Sequence, residues 1–276
     1  MSQDDMARYY NEGREQARLT QRGGNLERVR TQELIMRYLM EPPRTVLDIG
    51  GATGIYALWL ARLGYAVHLL DLMPLHIEQA LQAVQEQPGF SLQSAQVGDA
   101  QKLNFSDESI DAVLLLGPLY HLQAREERMQ ALAEAYRVLK PSGVVFVATI
   151  SRFASLLDGL RTGYLKDEQF ADVVEQTLQS GQHANPTQKP EYFTTAFFHH
   201  PDEIQAELGD TGFDVEALIA IEGPARFIAD IDVYWNDDTL RERLLTMVRA
   251  VETEPTMLGA TAHHLAVGIK PVKPLR

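Results

Sequence analysis

Cysteine is absent from this chain of 276 residues, which excludes disulfides, thiolate metal centres and a cysteine nucleophile while leaving the compartment open. Basic residues are few beside acidic ones: 25 Lys and Arg stand against 38 Asp and Glu, for a formal net charge of −13. Nucleic-acid phosphates are held by clustered Lys and Arg, so a small-molecule substrate is expected and a nucleic-acid partner is not. No apolar run approaches the length that crosses a bilayer, and the stretch from Met1 to Thr20 is too polar for a secretory signal. A cytoplasmic protein without a membrane role is therefore expected. Repeats, low-complexity tracts and a composition break that would mark a linker are also missing. The chain reads as a single domain over 1–276 with insertions, and as a monomer or homodimer.

What is present is ordinary in kind, 45% hydrophobic and 23% charged. It is organised around one stretch. Thr45 to Ile49 is an apolar run of strand length, interrupted only by Asp48, and it ends in the small residues Gly50, Gly51, Ala52, Thr53 and Gly54. Ile55 to Leu63 follows with helical periodicity, and Ala66 to Leu70 is a second apolar run that stops at Asp71. This pattern is strand, tight turn, helix, parallel strand. At the carboxyl end of the first strand of a doubly wound sheet, the turn leaves backbone N–H groups free beside the positive end of a helix, and glycines let a ligand approach the main chain. Asp71, at the tip of the next strand, is placed to accept hydrogen bonds from a ribose diol. A ribose-bearing cofactor is the first inference.

The dinucleotide fingerprint G-x-G-x-x-G does not fit Gly50, Gly51 and Gly54. The stretch instead resembles the first motif of the class I S-adenosylmethionine-dependent methyltransferases, acid-x-Gly-x-Gly-x-Gly. Asp48, Gly50 and Gly54 fall on motif positions, and Ala52 stands where the middle glycine is usual. Further matches follow: Asp99-Ala100 after a third strand, Tyr136 to Gly143 before a fifth strand at Val144 to Ile150, then Pro201 to Glu203 and Gly212-Phe213. The resemblance runs from Val46 to about Thr149, and it is to the large bacterial group that includes ubiquinone and menaquinone biosynthesis enzymes. It implies an α/β fold: a doubly wound, mostly parallel seven-stranded sheet with helices on both faces and an antiparallel last strand. It also implies S-adenosyl-L-methionine as cofactor and S-adenosyl-L-homocysteine as product. The cofactor residues it implies are Tyr10 from a covering segment 1–24, Asp48, Gly50, Gly51 and Ala52 in the turn, Asp71 and Leu72, Asp99 and Ala100 at the adenine, and Leu116 at the next strand end.

That strand end carries Gly117 to His121, where Tyr120 and His121 are the nearest groups able to move a proton and are the expected catalytic pair. The competing reading makes His121 a cap or core histidine. Two excursions, 151–200 and 224–257, are expected as a helical lid and a second insertion. Phe170, Tyr192, Phe193, Phe197 and Phe198 either wall an acceptor pocket or form the first excursion's own core. Arg22 and Arg30 are read as solvated helix charges before carboxylate anchors, and His68 and His76 as fold positions. No metal is expected, because adjacent histidines such as His199-His200 and His263-His264 point apart. Two other functions stay open: a nucleotide-dependent oxidoreductase, and a non-catalytic protein that binds the same cofactor.

Overall fold

A computed structural model of the chain describes residues 24–87, 89–187 and 189–272. Tyr10 and the segment 1–23 lie outside the described residues. Two compact units are present: one comprises Gln32–Ala148, Gln205–Glu216 and the chain from Ala266, the other Thr149–Ile204, Ala217–Leu265 and the described residues as far as Thr31.

The first unit is built on parallel strands. β1 (Thr45–Ile49), β2 (Ala66–Asp71), β3 (Ser94–Val97), β4 (Ile110–Leu115) and the first residues of β5 (Leu139–Ser151) lie in the order β3-β2-β1-β4-β5. Strands covered on both faces read as near-continuous apolar runs, and β4 is buried at every position. Helices α2 (Ile55–Arg62), α3 (Pro74–Gln85), α4 (Pro118–His121) and α5 (Arg125–Val138) follow strands in turn, with α8 (Pro201–Thr211) later in the chain. β1 sits between β2 and β4, so the strand order reverses there, and Asp48 is paired on both sides, with Leu69 and with Leu114. The end of β9 (His263–Ile269) runs antiparallel to β5, since Ser142 N donates to Lys270 O at 2.8 Å and Lys270 N to Gly143 O at 2.9 Å. This is the mostly parallel, helix-flanked sheet with an antiparallel last strand that the resemblance implies.

The second unit holds the first half of α1 (Gly24–Tyr38), then α6 (Ala154–Thr162) and α7 (Glu168–Ser180), which are the two helices expected in the first excursion. It also holds two strands that were not expected, β6 (Gln182–His183) and β7 (Ala196–His199), which pair antiparallel with each other. Ala196 to His199 is a short apolar run, all four residues buried, and it pairs with the end of β5 through Ile150–Phe198 and Ser151–His199. Phe170 and Tyr192 are core residues of the excursion itself: with Val174 they form a cluster joined by Leu156, Tyr164, Leu165 and Leu178, the two rings 4.7 Å apart. The end of β8 (Asp214–Ala220), α9 (Ile231–Trp235) and α10 (Asp238–Val251) complete the unit, and Ile231, Leu244, Leu245 and Val248 pack with Leu26 of α1.

Arg30 corrects the expectation of a solvated charge. It has no exposed surface, donates to Ile221 O at 3.2 Å and pairs with Glu252. An arginine faces inward where a buried carboxylate and a strand-end carbonyl both need a donor, and periodicity alone does not show that.

Candidate active site

The carboxyl end of β1 turns through left-handed backbone. Gly50 has φ 66°, Ala52 φ 49° and Gly54 φ 82°. Gly50 N donates to Leu70 O at 2.7 Å, which fixes the turn against β2. A methyl group built on Gly50 would lie 2.6 Å from Pro118 Cγ, so the β1 turn and the start of α4 meet at a contact only glycine permits. α2 begins at Ile55 with no side-chain cap, which leaves the amide groups of its first turn as donors at the positive end of the helix.

Two carboxylates stand beneath this turn. Asp71 is buried and takes three donors: Ala52 N reaches Oδ2 at 2.8 Å, while Met73 N and His76 Nδ1 reach Oδ1, each at 2.9 Å. Asp48 is 1% exposed, and no described donor reaches either oxygen with hydrogen-bond geometry. Burial, reinforced by the neighbouring charge of Asp71, pushes the Asp48 pKa up to about 7, and only the Ala57 amide works against the rise. A methyl group on Gly51 would sit 2.5 Å from Asp48 Oδ2, so that glycine is required by the carboxylate and not by its own φ.

The segment after β4 is a short helix and not an open loop. Its position is fixed from behind by Arg128 of α5, which donates to Leu122 O at 3.1 Å and Gln123 O at 2.8 Å while its other nitrogens grip Glu207 of α8. Tyr120 and His121 make an edge-to-face ring pair at 4.6 Å. His121 departs from the expectation of an exposed strand-end group. The ring keeps partial exposure, but its Nδ1 has none, and burial pushes the pKa down to about 4 against the pull of Asp71. The imidazole is therefore neutral throughout the physiological range and is a weak base.

Asp48, Gly50, Gly51, Ala52, Asp71, Tyr120 and His121 belong to this one region of the first unit. Leu72, partly exposed, follows Asp71 directly, and Leu116, also partly exposed, follows the last residue of β4. Asp99 and Ala100 lie just past the end of β3; Asp99 is exposed and its Oδ1 accepts from Gln101 N at 2.9 Å, while Ala100 is 8% exposed. His76, read from the sequence as a fold position, holds the Asp71 carboxylate with its ring. Its only signal was a titratable residue on the first turn of the helix that follows an acid. In the second unit, Glu27, Glu222 and His263 form a cluster able to hold a metal ion, which counting adjacent histidines does not find. Glu222 is already engaged there by His263 Nδ1 at 2.6 Å, His263 N at 3.1 Å and Thr261 Oγ1 at 3.1 Å.

Residues 47–147 match the family of methyltransferase domains. They are a class I methyltransferase domain. The chain is 31% identical over 128 residues to a ubiquinone/menaquinone biosynthesis C-methyltransferase of Acidiphilium cryptum, covering 46% of this chain and 50% of that protein. It is 30% identical over 121 residues to the methyltransferase GfsG of Streptomyces halstedii, covering 44% and 42%. The chain thus spans about half the length of the curated relatives it matches. A solved S-adenosylmethionine-dependent methyltransferase of Methanosarcina mazei superposes with a TM-score of 0.60 at 20% identity, over 87% of this chain and 98% of that one, a likeness of fold. The methyltransferase domain contains the whole β1 turn, both carboxylates and the Tyr120–His121 pair.

Proposed function

We propose that the protein is an S-adenosylmethionine-dependent methyltransferase acting on a small-molecule acceptor by in-line transfer, in the cytoplasm, as a monomer or homodimer. The chain passes between the two compact units five times, at 31/32, 148/149, 204/205, 216/217 and 265/266, and the reading takes them as one catalytic domain. The observation that carries it is the carboxylate pair under the β1 turn. Asp48 is buried with neither oxygen in a hydrogen bond of good geometry, and Asp71 stands close enough to raise its pKa. Such a pair repels the pyrophosphate of a dinucleotide and attracts a ligand bearing positive charge. The pair favours a cationic nucleoside over an anionic one, which supports the methyltransferase reading over the oxidoreductase.

When bound, S-adenosylmethionine supplies an electrophilic methyl group on a sulfonium. Asp48 would provide the counter-charge to the ligand's amino acid end. Asp71 would accept from a ribose hydroxyl with the lone-pair capacity that its three internal donors leave, since a carboxylate has roughly four acceptor sites. Leu72 and Ala100 offer apolar contact to the base, and Asp99 offers a carboxylate edge to its amine. Tyr120 and neutral His121 orient the acceptor, with proximity supplying most of the rate.

Isothermal titration with S-adenosylmethionine, S-adenosylhomocysteine and NAD is the test. The first two are expected to bind and NAD is not, and tighter binding of NAD overturns the reading. With a turned-over acceptor in hand, His121→Ala and Tyr120→Phe are expected to lower kcat more than cofactor affinity; unchanged turnover in both removes the pair from the mechanism.

A further inference from the structure

The two oxygens of Asp71 are committed in different directions. Oδ1 turns to the chain that follows it: Met73 N donates at 2.9 Å, and His76 Nδ1 donates at 2.9 Å from the first turn of α3. Oδ2 turns to the loop after β1, where Ala52 N donates at 2.8 Å. A carboxylate oxygen has two lone pairs, so Oδ1 is filled and Oδ2 keeps one acceptor site. The open site is therefore on the oxygen that already touches the left-handed turn, whose small residues let a ligand approach the main chain.

The filling of Oδ1 has a local cause. α3 starts at Pro74, and its N-cap residue is Met73, whose side chain makes no capping hydrogen bond. Asp71 Oδ1 accepts from Met73 N instead, the turn that an aspartate makes with the backbone two residues on. That bond alone would leave Oδ1 one lone pair. His76 takes it, from a ring only 5% exposed and so held in place by its surroundings. An ionised carboxylate only accepts, so Nδ1 carries the hydrogen of this bond. A ribose presents two neighbouring hydroxyls, and a carboxylate with both oxygens open can take one on each, as it does with the paired donors of a guanidinium. Asp71 has no second place to offer.

We infer that His76 is a positioning residue that sets how the cofactor's ribose is held: by occupying Oδ1 it leaves Asp71 to take a single ribose hydroxyl, on Oδ2, and makes the neighbouring hydroxyl dispensable for binding. The inference rests on the methyltransferase reading above, since it specifies the cofactor contact of that same site.

The test is isothermal titration of the full chain with S-adenosylhomocysteine and its 2′-deoxy and 3′-deoxy counterparts. In the parent, loss of one hydroxyl is expected to weaken binding by about tenfold or more, as for a hydrogen bond to a charged acceptor, and loss of the other by less than about threefold. His76→Asn keeps a donor nitrogen where Nδ1 stands and should reproduce this asymmetry, with S-adenosylhomocysteine bound within about threefold of the parent. His76→Phe keeps a buried ring and removes the donor. Oδ1 is then open, and loss of the formerly dispensable hydroxyl should also cost about tenfold. A merely structural role for His76 would lower Tm and weaken all three ligands alike in His76→Phe; an asymmetry left as in the parent overturns the inference. A parent that loses about tenfold on removal of either hydroxyl, or that is indifferent to both, overturns it without any variant. Failure of S-adenosylhomocysteine itself to bind the parent is a distinct result, which removes the cofactor reading and this inference with it.

Discussion

The turn after β1 and a polar face at the end of β5 both hold hydrogen-bonding groups in a buried setting, and they do so with opposite materials. The turn is consecutive chain, Asp48 to Gly54, and works through backbone in the left-handed region that only certain residues enter. The face is assembled from fully buried side chains of the second unit, Thr149 and Ser151 of β5, His199 of β7 and His264 of β9, carried on ordinary strand backbone. The contrast teaches where each region tolerates change. In the turn a single methyl group alters the fold, while on the face a side chain can be exchanged for one of like shape without disturbing the main chain. The two regions also share one electrostatic device, a titratable group forced toward its neutral form by burial: Asp48 in the turn and His264 on the face.

The largest expected effect comes from Asp48→Asn. With its pKa at about 7 in the fold and near the model-peptide value when unfolded, Asp48 keeps a proton between about pH 4 and pH 7 that the unfolded chain has released. Its cost to the unliganded protein is nil below that window, grows as pH rises through it, and is complete above pH 7. A shift of about three units corresponds to about 4 kcal/mol. Urea unfolding should therefore find Asp48→Asn about as stable as the parent at pH 4 and more stable by up to about 4 kcal/mol at pH 8. The same variant should bind S-adenosylmethionine more weakly, because the counter-charge is gone. Equal stability of the two proteins at pH 8 would mean that Asp48 has a partner in solution.

Next in size are His121, beside the turn, and His264, on the face. Each has a pKa pushed down to about 4 by burial, so between about pH 6.5 and pH 4 the unfolded chain holds a proton that the fold excludes. Each group therefore lowers stability on acidification through that window by about 3 kcal/mol, an effect complete below pH 4. Asp48 slopes the other way in the same range, so the three groups together leave a net excess of about one proton on the unfolded chain. His121→Gln and His264→Gln should each flatten the acid limb by about one proton, and Asp48→Asn should steepen it by as much. Stability measured by denaturant at half-unit pH steps gives these slopes directly. A parent whose stability rises on acidification through this range, with a slope of about one proton, would show that both imidazoles protonate in the folded state.

The same contrast sets how much could be read from the sequence. The β1 turn was legible because its parts are adjacent: an acid, glycines at fixed spacing and a second acid at the end of the next apolar run. The succession of strands and helices along the chain was legible in the alternation of apolar runs and helical stretches, and the resemblance implied the doubly wound sheet. His76 could be read only as a fold position, because what it does depends on the side chain it meets, Asp71, and not on any pattern around it. Arg30, Thr149 and His264 escaped for a related reason. Their partners or neighbours lie more than a hundred residues away in the chain, and a polar residue turned inward has the same local signature as one turned outward. β6 and β7 were missed because two- and four-residue strands carry too little periodicity to register.

Gly51→Ala is the next effect in order, and it bears on the turn alone. The added methyl would meet Asp48 Oδ2 and Leu69 Cδ1, each at 2.5 Å, and Asp48 is held between β2 and β4. Overpacking of this kind costs about 1–3 kcal/mol. Cofactor affinity should fall with it, since the turn must move. Thr149→Val on the face adds no volume and, since Thr149 Oγ1 is buried with no hydrogen-bond partner among the described residues, should leave Tm at or above the parent value. Thermal unfolding of the two variants side by side checks the difference, and a harmless Gly51→Ala would erase the distinction drawn between the regions.

The smallest effect concerns Ala52, the one position of the turn where the residue and the backbone disagree. An alanine at φ 49° suffers a clash of its Cβ with the following carbonyl, a cost of about 1–2 kcal/mol that glycine does not bear. Glycine brings its own cost, because the unfolded chain gains freedom worth about 0.5–1 kcal/mol. The balance for Ala52→Gly is a gain of about 0.5 kcal/mol, small because the two terms nearly cancel. The strain persists because Ala52 N is held by Asp71 Oδ2 at 2.8 Å, a bond to a buried charge that over-determines the local geometry. Asp71→Asn should then relieve it: with that bond weakened, Ala52 is freer to leave the left-handed region, and Ala52→Gly should recover less stability in the Asp71→Asn background than in the parent. A double-mutant cycle by urea unfolding measures this, and strictly additive free energies would show that the two positions are not coupled.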